Sequence, residues 1–163
     1  MKSAFESLPK TLLEIDPKDL GDTKFIKNSQ GIAFGSGKPF QLIDVETATS
    51  SNIERISFDR FVSSASSTSK QFFADITKLI EEDDKDVTVT DASIVNLPKI
   101  GDISVAVSLM VKDENVQFRY DMIFFRRDNI RNFVMVISLA SEKPEVPVEK
   151  AASLLDTKIQ EVL

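Results

Sequence analysis

The sequence contains no histidine, no cysteine and no tryptophan. Without imidazole or thiolate the chain cannot build a Ser-His-Asp triad, a cysteine-protease dyad, a thioredoxin-like redox pair or the usual zinc sites. The lack of thiols also leaves it indifferent to redox compartment. Positive charge is scarce as well: 20 Lys and Arg stand against 26 Asp and Glu, a formal charge of −6. That balance repels phosphate backbones and argues against nucleic acid as a partner. Long apolar runs are missing. Residues 105–111 and 133–140 fall far short of the roughly 20 needed to cross a bilayer, so no transmembrane segment is expected. The opening MKSAFESLPKTLLEID has no continuous apolar stretch, and no signal peptide is read there. The chain is either cytoplasmic, or an exported protein whose leader was removed and whose Met1 was added for expression.

What is present describes a folded protein. In 163 residues, 42% are hydrophobic and 28% charged, ordinary values for one domain spanning 1–163 and far from those of disordered chains. Residues 1 to 21 carry Phe5, Leu8, Leu12, Leu13 and Ile15 at spacings of three and four, a short helix punctuated by Pro9 and Pro17. Gly31, Gly35, Gly37 and Pro39 predict turns, with a short strand at 32–34 between them. A strand is expected over 40–45. Beyond the polar stretch 46–52, Ile56, Phe58, Phe61 and Val62 suit a strand with a bend over 53–62. The serine-rich 63–69 reads as a loop in which Ser67 or Thr68 caps the next helix. Phe72, Phe73, Ile76, Leu79 and Ile80 then form one apolar stripe, an amphipathic helix of about four turns that lies on a sheet.

The second half alternates clearly. Residues 87–95 do so loosely, and 97–102 form a turn. Ile103, Val105, Val107, Leu109 and Val111 then alternate with smaller and polar residues, a period of two that predicts a strand with one buried face. Phe118, Tyr120, Met122 and Phe124 belong to the next strand, and Phe133, Met135, Ile137 and Leu139 to the one after. Asp128 and Asn129 tolerate positive φ and predict the hairpin turn between those two. Three strands with short connections make an antiparallel meander. Pro147 is placed as the first residue of a closing helix whose stripe is Val148, Ala151, Ala152, Leu155, Ile159 and Val162. The expected class is α+β, a twisted antiparallel sheet covered by helices.

Candidates for chemistry are few. Asp44, Asp59, Asp102 and Asp121 are potential acids or bases, but a catalytic carboxyl needs burial or a neighbouring charge, and without such a signal each reads as solvated surface. Asp102, after Gly101, reads as a turn cap. The run Glu81, Glu82, Asp83, Asp84, Asp86 lacks the spaced pattern and the glycine of a calcium loop, so no metal site is assigned. The glycines at 31, 35 and 37 match neither phosphate-loop spacing, and no nucleotide cofactor is expected. Arg126, Arg127 and Arg131, with Arg119 along the preceding strand, concentrate positive charge at one hairpin tip. An anionic ligand or an acidic protein surface is one reading; a tip protected from aggregation by charge is the plainer one. The 12 Phe residues are core by default, although such packing can enclose an apolar pocket.

Four segments carry a resemblance: the helix at 69–82, IGDISVAVSL at 100–109, FFRRDNIRNFVMVISL at 124–139 and EKAASLLDTKIQEVL at 149–163. From about Asn52 to the C-terminus the chain resembles the PsbP-like superfamily and related extracytoplasmic lipoproteins and sensor domains. The opening LLEIDPKDLGDTKF at 12–25 is similar to the entry of such proteins, with Gly21 kept and a Pro and a Phe displaced to Pro17 and Phe25. The matching motifs are structural and none is catalytic. The resemblance implies an α/β/α sandwich, export with a lipid anchor upstream, and a binding or assembly role. The expectation is a non-enzymatic binding or sensor module with a protein partner or small ligand. The alternatives are a carrier of a small apolar ligand in a Phe-lined cavity and a carboxylate-based hydrolase such as a glycosidase, which needs two acids about 5 to 10 Å apart in a cleft. No catalytic, metal or cofactor residue is assigned.

Overall fold

The computed structural model describes residues 40–65, 70, 72–74, 77–78 and 87–163, and the backbone of 29–37 and 66–67. Among them are strands β1 (Ser29–Gly37), β2 (Phe40–Thr49), β3 (Val87–Val95), β4 (Ile103–Asp113), β5 (Val116–Arg127) and β6 (Ile130–Leu139), and helices α1 (Asn52–Ser67) and α2 (Val148–Val162). The strands form one antiparallel sheet in the order β1-β2-β6-β5-β4-β3. The expected meander is present and extends from β3 to β6. The β1–β2 hairpin then continues the sheet, with Asp44 of β2 opposite Met135 of β6.

The period-two pattern divides each strand between two faces, and both faces are buried. On the first, Val107, Leu109, Met122, Phe124, Phe133 and Met135 pack with Phe58, Val62 and Ala65 of α1. On the second, Ala106, Ile123, Phe125, Val134 and Val136 pack with Val148, Ala152 and Ile159 of α2. The expectation of a single buried face for β4 is therefore corrected: Ala106 belongs to the second-face core, on the side opposite α1, together with Ile100 of the loop that precedes β4. β6, lying between β2 and β5, is buried at every position from Arg131 to Ser138, so it reads as a near-continuous apolar run. Rings join the layers on the first face. Phe61 of α1 sits edge-on to Phe124 at 5.3 Å and 5.5 Å from Phe72, and Phe124 meets Phe133 at 4.9 Å.

Residues 53–62 are helical, not a bent strand, and the helix runs on to Ser67, within the stretch expected as a loop. Its N-terminus is a capping box: the Ser51 N–H donates to Glu54 Oε2 (2.6 Å), and the Glu54 N–H donates to Ser51 Oγ (3.4 Å). Phe58, Phe61, Val62 and Ala65 recur at three and four residues, and this stripe is what α1 buries. Ser67 accordingly lies within α1 and does not start the next helix. The described residues at 70, 72–74 and 77–78 are helical as expected, with Phe72 and Phe73 against the first-face core. Thr68, Ile76, Leu79, Ile80 and the acidic run 81–86 lie outside the described residues, as do Pro39 and the expected N-terminal helix.

The glycines expected in turns are also corrected. Gly31 and Gly35 are strand residues paired with Glu46 and Leu42, and Gly37 closes β1 opposite Phe40. β2 continues to Thr49 through residues expected as a polar connection. Pro147 is extended (φ −62°, ψ 149°) and precedes the helix rather than opening it, its carbonyl accepting from Lys150 N at 3.0 Å. The turn expected at 128–129 is present, and another at 114–115 joins β4 to β5, with positive φ at Glu114 (49°) and Asp128 (51°).

Candidate functional site

The arginines expected at the β5–β6 tip do not lie open. Arg126 and Arg127 end β5 on alternating faces, and each reaches a carboxylate on the helix of its own face. Arg126 binds Asp59 of α1 through two parallel bonds, Nε to Oδ1 at 2.7 Å and Nη2 to Oδ2 at 2.9 Å. Arg127 binds Asp156 of α2 through Nε to Oδ1 at 2.9 Å and Nη2 to Oδ2 at 2.6 Å. Such fork-to-fork pairs are the strongest ionic hydrogen bonds available to side chains. Asp102 stands between them, accepting from Arg126 Nη1 at 3.0 Å, Arg127 Nη1 at 3.5 Å and the Asp128 N–H at 2.8 Å. It is more than the turn cap expected, because it links both halves of the clamp.

The electrostatics follow from the contacts. Asp59 and then the burial it offsets leave the Arg126 guanidinium above its already high range, and Asp156 does the same for Arg127. In return the Arg127 bond holds Asp156 below the ordinary carboxylate value despite a burial that opposes it. These cations are neutralised by the chain itself, so they do not form an anion site. Arg131 is 3% exposed, with Nη2 3.9 Å from Glu54 Oε1, and Arg119 lies seven residues before Arg126, roughly 23 Å up the strand. Arg131 stands directly opposite Arg126 across the β5–β6 pair, so of the expected cationic tip only Arg119 lies apart.

Gly101 makes the clamp possible. Its φ is +66°, and a Cβ there would sit 2.4 Å from the Arg126 carbonyl oxygen. The close approach lets Asp102 N donate to that oxygen at 2.7 Å while Gly101 N donates to Asp156 Oδ2 at 3.3 Å. The 96–102 loop is thereby pinned to β5 and to α2 at its C-terminal end.

The remaining acids lie away from this clamp. Asp44 and Glu46 share the first face of β2, two residues and roughly 7 Å apart along the strand. Burial pushes both carboxyls up, Glu46 further so because of Asp44. Asp44 is 4% exposed and its Oδ2 has no hydrogen-bond partner. Asp121 on the second face accepts from Ser108 Oγ at 2.7 Å, and burial outweighs that bond to raise its carboxyl. Tyr120 is pushed up to about 12, by burial first and Asp113 second. Among the described residues no group of three or more ligand-type side chains is placed to hold a metal ion. No described helix is long and apolar enough to cross a membrane.

One cleft stands apart from these polar groups. β3 pairs with β4 only as far as Val95 opposite Ala106, whereas β4 begins at Ile103. The chain leaves the sheet at Asn96, and a half-open cleft of about 300 Å³ remains between the departing loop and β4. Ile100, Ala106 and Ile123 form its buried floor, and Val95, Leu97 and Pro98 a wall. No Phe and no acid lines it. Neither Asp156 nor this loop stands out by composition in the sequence. A signal for Asp156 exists, however: in α2 the positions Val148, Ala152, Asp156 and Ile159 share one stripe, and an acid inside an apolar stripe implies a buried partner.

No protein-family model matches the chain, and a search of curated proteins finds no match.

Proposed function

We propose that this chain is a non-enzymatic binding or sensor module of the PsbP-like kind, working outside the cytoplasm on a lipid anchor. The observation that carries the binding reading is the use made of the charged side chains at the sheet end. Asp59, Asp102, Asp156, Arg126 and Arg127 are committed to one another, so they serve to fix two helices and a loop on the sheet. A scaffold held in this way offers preformed surfaces, which lower the entropic cost of recognition. The PsbP-like assignment is supported by helices on opposite faces of an antiparallel sheet and by the 100–109 and 124–139 motifs, which lie in β4, β5 and β6 with the turns that precede and join them.

Two measurements test this. The full chain is assayed against chromogenic glycosides and esters; no turnover above buffer is expected, and turnover lost on Asp44→Asn or Asp121→Asn overturns the reading in favour of a carboxylate hydrolase. The complete open reading frame is inspected for a leader ending in a lipid-accepting Cys, and metabolic palmitate labelling checks the anchor. A frame starting at Met1 with no such leader overturns the location.

A further inference from the structure

We infer that the cleft between the 96–100 loop and β4 is a binding site for a small, uncharged, mainly aliphatic ligand carrying one hydrogen-bonding group. The inference rests on the binding-module reading and gives it a place and a ligand chemistry.

Size sets the first limit. About 300 Å³ is the room taken by about ten water molecules, the small end of the range for ligand sites. A fatty acid of membrane length or a nucleotide is too large. Charge sets the second. Among the described residues no ionisable side chain lines the cleft. A carboxylate, phosphate or ammonium placed there gives up hydration and meets no counter-charge. Shape and polarity supply the third. Ala106, Ile100 and Ile123 make an aliphatic floor that is at most 7% exposed, while two neutral polar groups stand at the margin. Ser104 Oγ accepts from the Ile100 N–H at 3.2 Å, and its own proton remains available to donate. The exposed Asn96 carboxamide supplies both a donor and an acceptor. An amide or alcohol head on a short aliphatic body satisfies all of these.

The cleft is also held in shape. Its outer wall, Leu97 and Pro98, belongs to the loop that Gly101 and Asp102 fasten to β5 and α2. Its inner wall is β4, paired to β5 throughout. A ligand therefore enters a site whose walls are already ordered.

The test is an amide-resolved NMR titration of the full chain with hexanamide, alongside hexanoate and hexylammonium. Hexanamide is expected to give saturable shifts at Val95, Leu97, Ile100, Ser104, Ala106 and Ile123, with the two ions about tenfold weaker or worse. Ala106→Leu fills the floor and is expected to weaken hexanamide by about tenfold or more while the sheet resonances persist. Asn96→Asp, on an exposed position that leaves the core intact, is expected to improve hexylammonium relative to hexanamide. The inference is overturned by the absence of saturable shifts, by shifts confined to the aromatic face, by equal binding of all three probes, or by unchanged relative affinities in Asn96→Asp. It is also overturned if a capped leucine tripeptide moves these amides and hexanamide does not, since the cleft then serves a protein side chain. Failure here without substrate turnover removes the cleft and leaves the module reading; turnover with hexanamide bound removes the module reading and leaves the cleft.

Discussion

Arg126 and Arg127 are neighbours in the chain, yet their guanidinium groups serve opposite faces of the sheet, one clasping Asp59 of α1 and the other Asp156 of α2. The strand alternation alone sends them apart. Asp102 then joins them again at the sheet end. One dipeptide thus couples the two helical layers, and the first consequences are for stability.

Arg126→Ala removes a cation that is 9% exposed and leaves Asp59 and Asp102 without their shared partner. Both carboxylates are partly open to water, so the loss falls below that of a fully buried pair, about 2–3 kcal/mol. Urea unfolding of the variant measures it. Asp59→Asn, which keeps a hydrogen-bond acceptor for the guanidinium, is expected to cost about 1 kcal/mol.

Gly101→Ala is expected to be more damaging than its size suggests. The methyl group meets a backbone oxygen that cannot swing aside, at a φ unfavourable to any L side chain, and the cost is about 2 kcal/mol or more. Because the loop must shift, the Asp102 N to Arg126 O bond is lost too. Hydrogen exchange at the Asp102 amide reads this directly: faster exchange is expected, and unchanged protection contradicts the account.

The pH dependence has two opposing parts. Asp156 sits below its ordinary value of 3.8 in the folded chain. Its contribution is complete above that value and is lost as pH falls through the depressed folded value. Asp44, Glu46 and Asp121 are raised. The folded state holds their protons more tightly than the unfolded chain does, so they lower stability as pH rises from about 4 through their folded values. Thermal unfolding against pH is expected to show a flatter decline on that side for Asp44→Asn. Asp156→Asn is expected to flatten the acid limb instead.

The capping box predicts a smaller effect. Ser51→Ala removes the acceptor for the Glu54 N–H, at a cost of about 0.5–1 kcal/mol given the long 3.4 Å bond. Circular dichroism melting checks this. Ser57→Ala, exposed and within the same helix, serves as a control with an effect near zero.

Much of the fold is legible locally. The strands between 103 and 139 and the closing helix follow from spacing alone, because a period of two or of three to four is written in adjacent residues. The misreading of 53–62 has a physical cause. Ile53 and Ile56 look like strand residues, yet they are 73% and 51% exposed, so two of the five apolar residues there mark no core. The signal that decides is Ser51 with Glu54, a capping pair three residues apart, followed by the stripe from Phe58 to Ala65. The glycines at 31 and 35 mislead in the opposite sense: turn residues by composition, they are held extended by pairing with β2, a contact that local sequence does not encode.

The sequence by itself determined that the core would be apolar and aromatic, that histidine and thiol chemistry would be absent, and that 103–139 would run as hairpins. Those are properties of residue type and short-range order. Only the tertiary structure decided that β6 lies between β5 and β2, that both faces are roofed, and that three aspartates distant in the chain take up the charge of Arg126 and Arg127. Side chains from residues 59, 102 and 156 come within 3.5 Å of those two neighbours only after the helices dock on opposite faces, and docking is chosen by the summed burial of both stripes.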